Sequence, residues 1–226
     1  MRKLLWLVIL VFVVQGFSPA PSQYVDLTIR LYDTAAIPAG DLTVAQSVAA
    51  AIFSAAGVTI TWVNCVTATP RGRCAEVPEP SSVIIRIVSQ ASPMADALGD
   101  SMIDAASHKG TLATLFAGNI RAMAARTNTG LGRLLGRAMA HEIDHVLLGS
   151  TEHSASGLMR AHWYDDELVS EKSSDWVLAD DDAKEMLIAA DARTHETTPV
   201  VTAAAGSGGG DSENVLTVAP ADDLTR

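Results

Sequence analysis

The chain has 226 residues, with 16 Lys plus Arg against 26 Asp plus Glu, a formal net charge of −10 and 48% hydrophobic residues. That length sets one domain with appendages, and the apolar share excludes a wholly disordered chain. The acidic balance argues against a nucleic-acid partner, which needs a basic face to displace counterions from phosphates.

The first segment reads as an address. Arg2 and Lys3 precede an unbroken apolar run from Leu4 to Val14, and a small, turn-rich stretch follows to Ser22. Such a run rises about 16 Å as a helix, short of the roughly 30 Å of a bilayer core. This is the anatomy of a secretory signal peptide over residues 1–22, with cleavage before Gln23 and an uncleaved anchor as the alternative. It implies a secreted or periplasmic protein with no stable membrane insertion after cleavage. In such a compartment the two cysteines, Cys65 and Cys74, read as a disulfide closing a turn from Pro70 to Arg73.

Beyond the leader, Tyr24 to Tyr32 alternates and is rich in β-formers, which predicts a strand. Asp41 can cap a helix from Leu42 to Ala56 that turns Val44, Val48, Ile52 and Ala55 to one side. Gly57 stops it. Strands are then expected at Val58 to Val63 and Ser82 to Val88, and weaker ones near Ala97 to Ile103 and Thr111 to Phe116. This order suggests a sheet with helices packed on it.

From Thr127 to Gly149 the pattern is helical, with Asn128 or Thr129 as cap. Leu131, Leu134, Leu135, Ala138 and Val146 fall at spacings of three and four. Gly149 suits a left-handed end. Asp180 to Arg193 predicts another helix with Ala183, Met186, Leu187 and Ala190 inward. From residue 197 onward, AAAGSGGG leads into a polar acidic end. The expected organisation is therefore a signal peptide (1–22), a folded domain (23–196) and a flexible Gly/Ala-rich acidic tail (197–226).

The chemistry concentrates between Ala140 and Met159. His141 and His145 stand at i and i+4, one turn apart on one helix face, where two imidazoles can share a metal ion. Glu142 lies between them in an HExxH pattern, placed to act as general base. Catalytic zinc usually keeps three protein ligands and an open position. His153 is the natural third, because Gly149 lets the chain leave the helix and double back. Glu167, Glu171 and Glu185 are the alternatives. Asp144 reads as a solvated surface carboxylate, with support of the neighbouring histidines as the other possibility. Trp62 and Trp163 read as core or pocket walls.

HExxH, then a glycine, a third histidine and Gly157-Leu158-Met159 resembles the metzincin class of zinc metallopeptidases, and within it small bacterial secreted zincins. The spacing departs from the class: three residues instead of two separate His145 from Gly149, and three separate Gly149 from His153. The resemblance spans most of residues 24–193. It implies an α+β fold, a zincin-like twisted mixed sheet packed on helices, with an active-site helix and a C-terminal helix. It implies Zn²⁺ on His141, His145 and His153, Glu142 as catalytic base, and Met159 in a structural methionine turn. It also implies that the segment near Ala97 to Ile103 is an antiparallel edge strand that receives an extended peptide. The expected activity is that of a monomeric, secreted zinc metalloendopeptidase acting on a peptide or protein substrate. The alternatives are a catalytically idle zinc- and peptide-binding domain of the same fold, and hydrolysis of a non-peptide amide.

Overall fold

The computed structural model describes residues 24–65, 71–79, 81–92, 94, 97–104, 107, 109–169 and 173–195. The expected signal peptide, the acidic tail and the alternative ligand Glu171 lie outside them. Among the described residues no helix is long and apolar enough to cross a membrane.

The fold is α+β. Among the described residues five strands, β1 (Val25–Asp33), β2 (Val58–Cys65), β3 (Ser82–Val88), β4 (Gly99–Asp104) and β5 (Lys109–Phe116), form one mixed sheet in the order β2-β1-β3-β5-β4. β1 pairs in parallel with β2 and β3, and β3 in parallel with β5. Only β4 runs antiparallel, at the edge beside β5. The two weakest strand signals are thus real strands, and the antiparallel edge lies where the resemblance puts it. The central strands bury Leu27, Ile29, Leu31, Val83, Ile85 and Ile87, alternate residues that line one face of each strand.

Among the described residues the helices are α1 (Ala39–Ala55), α2 (Ala117–Thr127), α3 (Leu131–Leu148), α4 (Asp165–Val169) and α5 (Asp180–Thr194). α3 packs against α1, α5, β4 and β5. Its residues are buried almost all round, as a central helix requires. Two glycines let it approach α1. A Cβ on Gly132 would meet the Asp41 carbonyl oxygen at 2.6 Å, and one on Gly136 the Ala45 carbonyl oxygen at 2.6 Å.

Three local expectations are corrected. α1 starts at Ala39 behind Pro38, with no side-chain cap, so Asp41 lies inside the first turn. It buries Ala45, Ala49, Ile52 and Phe53, while Val44 is half exposed even though its side chain lies over Gly132 of α3. The helix expected from Thr127 forms over Leu131–Leu148 as α3, and Thr127 instead ends α2, which the pattern does not predict. Asn128 adopts a left-handed conformation (φ 53°) and ends α2, and α3 begins after Gly130 without a side-chain cap. Asparagine tolerates that conformation because its short polar side chain bonds locally.

The Cys65–Cys74 disulfide is formed. It joins the end of β2 to a 3₁₀ turn, Gly72–Cys74. Buried Arg30 secures the following loop by donating to the carbonyls of Glu76 (2.7 Å) and Val77 (3.3 Å).

Candidate metal centre

α3 carries His141 and His145 on one face, and its end delivers the third imidazole. Gly149 closes the helix with φ 61° and donates its N–H to the His145 carbonyl at 2.9 Å. That left-handed residue turns the chain back, so that His153 faces the helix it has just left. One nitrogen from each of His141, His145 and His153 lies within 4.8 Å of the others. The three rings pack at centroid distances of 4.7, 5.3 and 4.9 Å. Three residues between Gly149 and His153, instead of the two of the metzincin pattern, still allow the third ring to join the cluster.

The rings are oriented from behind. His141 Nδ1 faces the Leu158 carbonyl at 3.1 Å, and His145 Nδ1 faces the Ser150 carbonyl at 2.8 Å. A carbonyl oxygen only accepts, so each Nδ1 carries the proton and each Nε2 keeps a bare lone pair. These two Nε2 atoms stand 3.1 Å apart. Lone pair against lone pair is repulsive, and a cation between them removes the conflict. Charging a ring instead is opposed by burial. Desolvation, joined by the charges of His145 and His153, pushes His141 down to about 3, and desolvation also lowers His145 and His153. Three neutral, convergent imidazoles are a donor set that can hold a metal ion.

The segment after the histidines supports them. Gly157 has φ 74°, and a Cβ there would lie 2.7 Å from the Val177 carbonyl, so glycine is required twice over. Leu158 donates its N–H to the same Val177 carbonyl at 2.9 Å, and Met159 is buried in the core. Trp163 does more than wall the pocket. Its Nε1 donates to the Leu158 carbonyl at 3.1 Å, and its ring packs edge-on against His141 at 5.7 Å.

Glu142 is buried beside the rings, and desolvation raises its carboxyl to about 7, against the opposing hydrogen bond from Ser101. A carboxyl in that range can both take and return a proton near neutrality. Ser101 Oγ stands 2.7 Å from Glu142 Oε2 and 3.0 Å from the Glu142 carbonyl oxygen. Gly99 lies so near that a Cβ on it would fall 2.5 Å from Glu142 Cγ. Neither residue carries a sequence motif. The available signal was a glycine inside a strand, which often marks a close approach.

A cavity of about 490 Å³ opens over this group, lined by the three histidines, Glu142, Trp163 and the β4 residues 99–101. Tyr164 and His162 line it further out. Glu167, an alternative ligand, is engaged elsewhere: it pairs with Arg160 and accepts the Tyr164 N–H at 3.1 Å. Glu185 is not among the residues that cluster with the histidines. Asp144 is a correction. It is wholly buried, and neither carboxylate oxygen has a hydrogen-bond partner among the described residues. Desolvation, with the charges of Asp182 and Glu185, raises it to about 8.

No family profile matches the chain, and no curated protein matches it in sequence. Among solved structures it is similar to metalloproteinase-II from Bacteroides fragilis, with a TM-score of 0.48 and 14% identity. The match covers 76% of this chain and 55% of that one, so the chain spans about half the length of that protein.

Proposed function

We propose that the chain is a secreted zinc metallopeptidase, with residues 23–196 as its catalytic domain behind a cleaved leader and ahead of a flexible tail. The observation that carries the reading is the convergence of three neutral imidazoles with a buried carboxyl in one open cavity. His141, His145 and His153 would hold the ion through nitrogen. Three nitrogen ligands with room for a fourth suit catalytic zinc. When bound, zinc supplies Lewis acidity that acidifies water and polarises a carbonyl.

The chain's own groups supply the rest. Leu158 and Ser150 fix the tautomers of two rings through their carbonyl oxygens. Glu142 takes the proton of the attacking water and returns it to the leaving amine. An extended peptide would lie along the outer edge of β4, where backbone pairing holds it without demanding a sequence. An idle zinc-binding domain has no use for Glu142, whose burial costs stability and places a proton acceptor beside the rings.

The test is metal content. Protein purified without chelator should carry about one zinc per chain, and His153→Ala should weaken zinc binding while Glu167→Ala leaves it intact. Protein free of transition metal would sink the reading. Zinc held equally well by His153→Ala but released by Glu167→Ala would replace the third ligand.

A further inference from the structure

Resting on the peptidase reading, we propose that β4 is a clamp on the general base, with Gly99 and Ser101 as positioning residues for Glu142. Two contacts from one strand converge on this side chain. Gly99 leaves the space the carboxylate occupies: an added Cβ would stand 2.5 Å from both Cγ and Oε1 and 2.7 Å from Cδ. Ser101, two residues along and on the same strand face, reaches Oε2 at 2.7 Å. One residue makes room for the side chain and the other holds one of its oxygens, leaving Oε1 as the proton acceptor. Asp100 between them is exposed and lines the same cavity.

The hydroxyl suits a base that is charged before it takes a proton and neutral afterwards. Ser101 can donate to an ionised Oε2. When Oε1 has taken the proton, Ser101 can keep donating to Oε2 or turn its hydroxyl to the Glu142 carbonyl oxygen 3.0 Å away. An apolar side chain could make neither bond. β4 is also the strand along which the peptide is proposed to lie. The same three residues would therefore align the scissile bond and hold the group that acts on it.

The experiment uses the zinc-loaded full chain and a peptide that the wild type cleaves in a chelator-sensitive way. Ser101→Ala should lower kcat about 10- to 100-fold, the effect of losing a hydrogen bond to a charged group, with KM within about twofold and zinc content unchanged. Ser101→Thr, which keeps the hydroxyl, should restore most of the rate. Gly99→Ala should also lower kcat, because the three atoms nearest its methyl belong to the Glu142 side chain, which must shift to make room. In a Glu142→Gln background, Ser101→Ala should cost nothing further, which a merely structural role would not produce. Wild-type kcat in Ser101→Ala, with Glu142→Gln inactive, overturns the clamp and leaves the peptidase reading standing. Failure of the wild type to cleave any peptide in a broad library overturns both.

Discussion

His141 and Trp163 share one acceptor: each directs a ring nitrogen to the Leu158 carbonyl oxygen at 3.1 Å. The backbone before Met159 therefore fixes both the metal-facing ring and the aromatic wall beside it. Trp163→Ala should weaken zinc affinity about 10- to 100-fold, the usual cost of losing support behind a ligand. Trp163→Phe keeps the edge-on contact and should weaken it less. Competition with a chromophoric chelator measures both, and unchanged affinity in Trp163→Ala would refute the supporting role.

Asp144 sets a pH dependence of stability. Its carboxyl is raised from 3.8 to about 8, chiefly by desolvation. Between those values the folded chain holds a proton that the unfolded chain has released. This contribution is therefore complete below about pH 4 and is lost as pH rises toward 8. Asp144→Asn, which cannot ionise, should melt higher than wild type above pH 8 and show a flatter profile from pH 5 to 8. An equally steep profile in the variant would place the dependence elsewhere.

Gly136 is pressed against α1, with the Ala45 carbonyl oxygen 2.6 Å from where a Cβ would stand. Both partners are helix backbone, so neither can yield alone. Gly136→Ala should destabilise by about 1–3 kcal/mol despite alanine's better helix propensity. A melting temperature at or above wild type would show that the helices separate freely.

Replacing both Cys65 and Cys74 with serine should cost about 2–3 kcal/mol, because a short loop regains its freedom in the unfolded chain. Denaturant unfolding under oxidising conditions measures this. Two free thiols in exported wild-type protein, found by mass spectrometry, would contradict the pairing.

What the sequence made legible was local. The i, i+4 histidines, the left-handed end at Gly149 and the strong strands follow from spacings within a few residues, and all are present. The rest depends on packing partners far along the chain. Val44 reads as inward, yet it sits half exposed over Gly132, a glycine some ninety residues later whose contact with α1 no local spacing announces. Asp144 reads as solvated because nothing nearby reveals that α5 covers that side of α3. The contacts of Gly99 and Ser101 with Glu142 cross more than forty residues and leave no periodic trace. α2 was hidden because Asn128, which ends it, also suits a helix start.

Glu142→Gln tests the central claim most directly. The amide keeps the shape of the side chain, so zinc content should remain about one per chain while peptide cleavage falls about 10²- to 10⁴-fold. Parallel measurement of zinc by elemental analysis and of cleavage by single-turnover kinetics separates metal from proton transfer. Cleavage by Glu142→Gln at the wild-type rate, with zinc retained, would contradict the account.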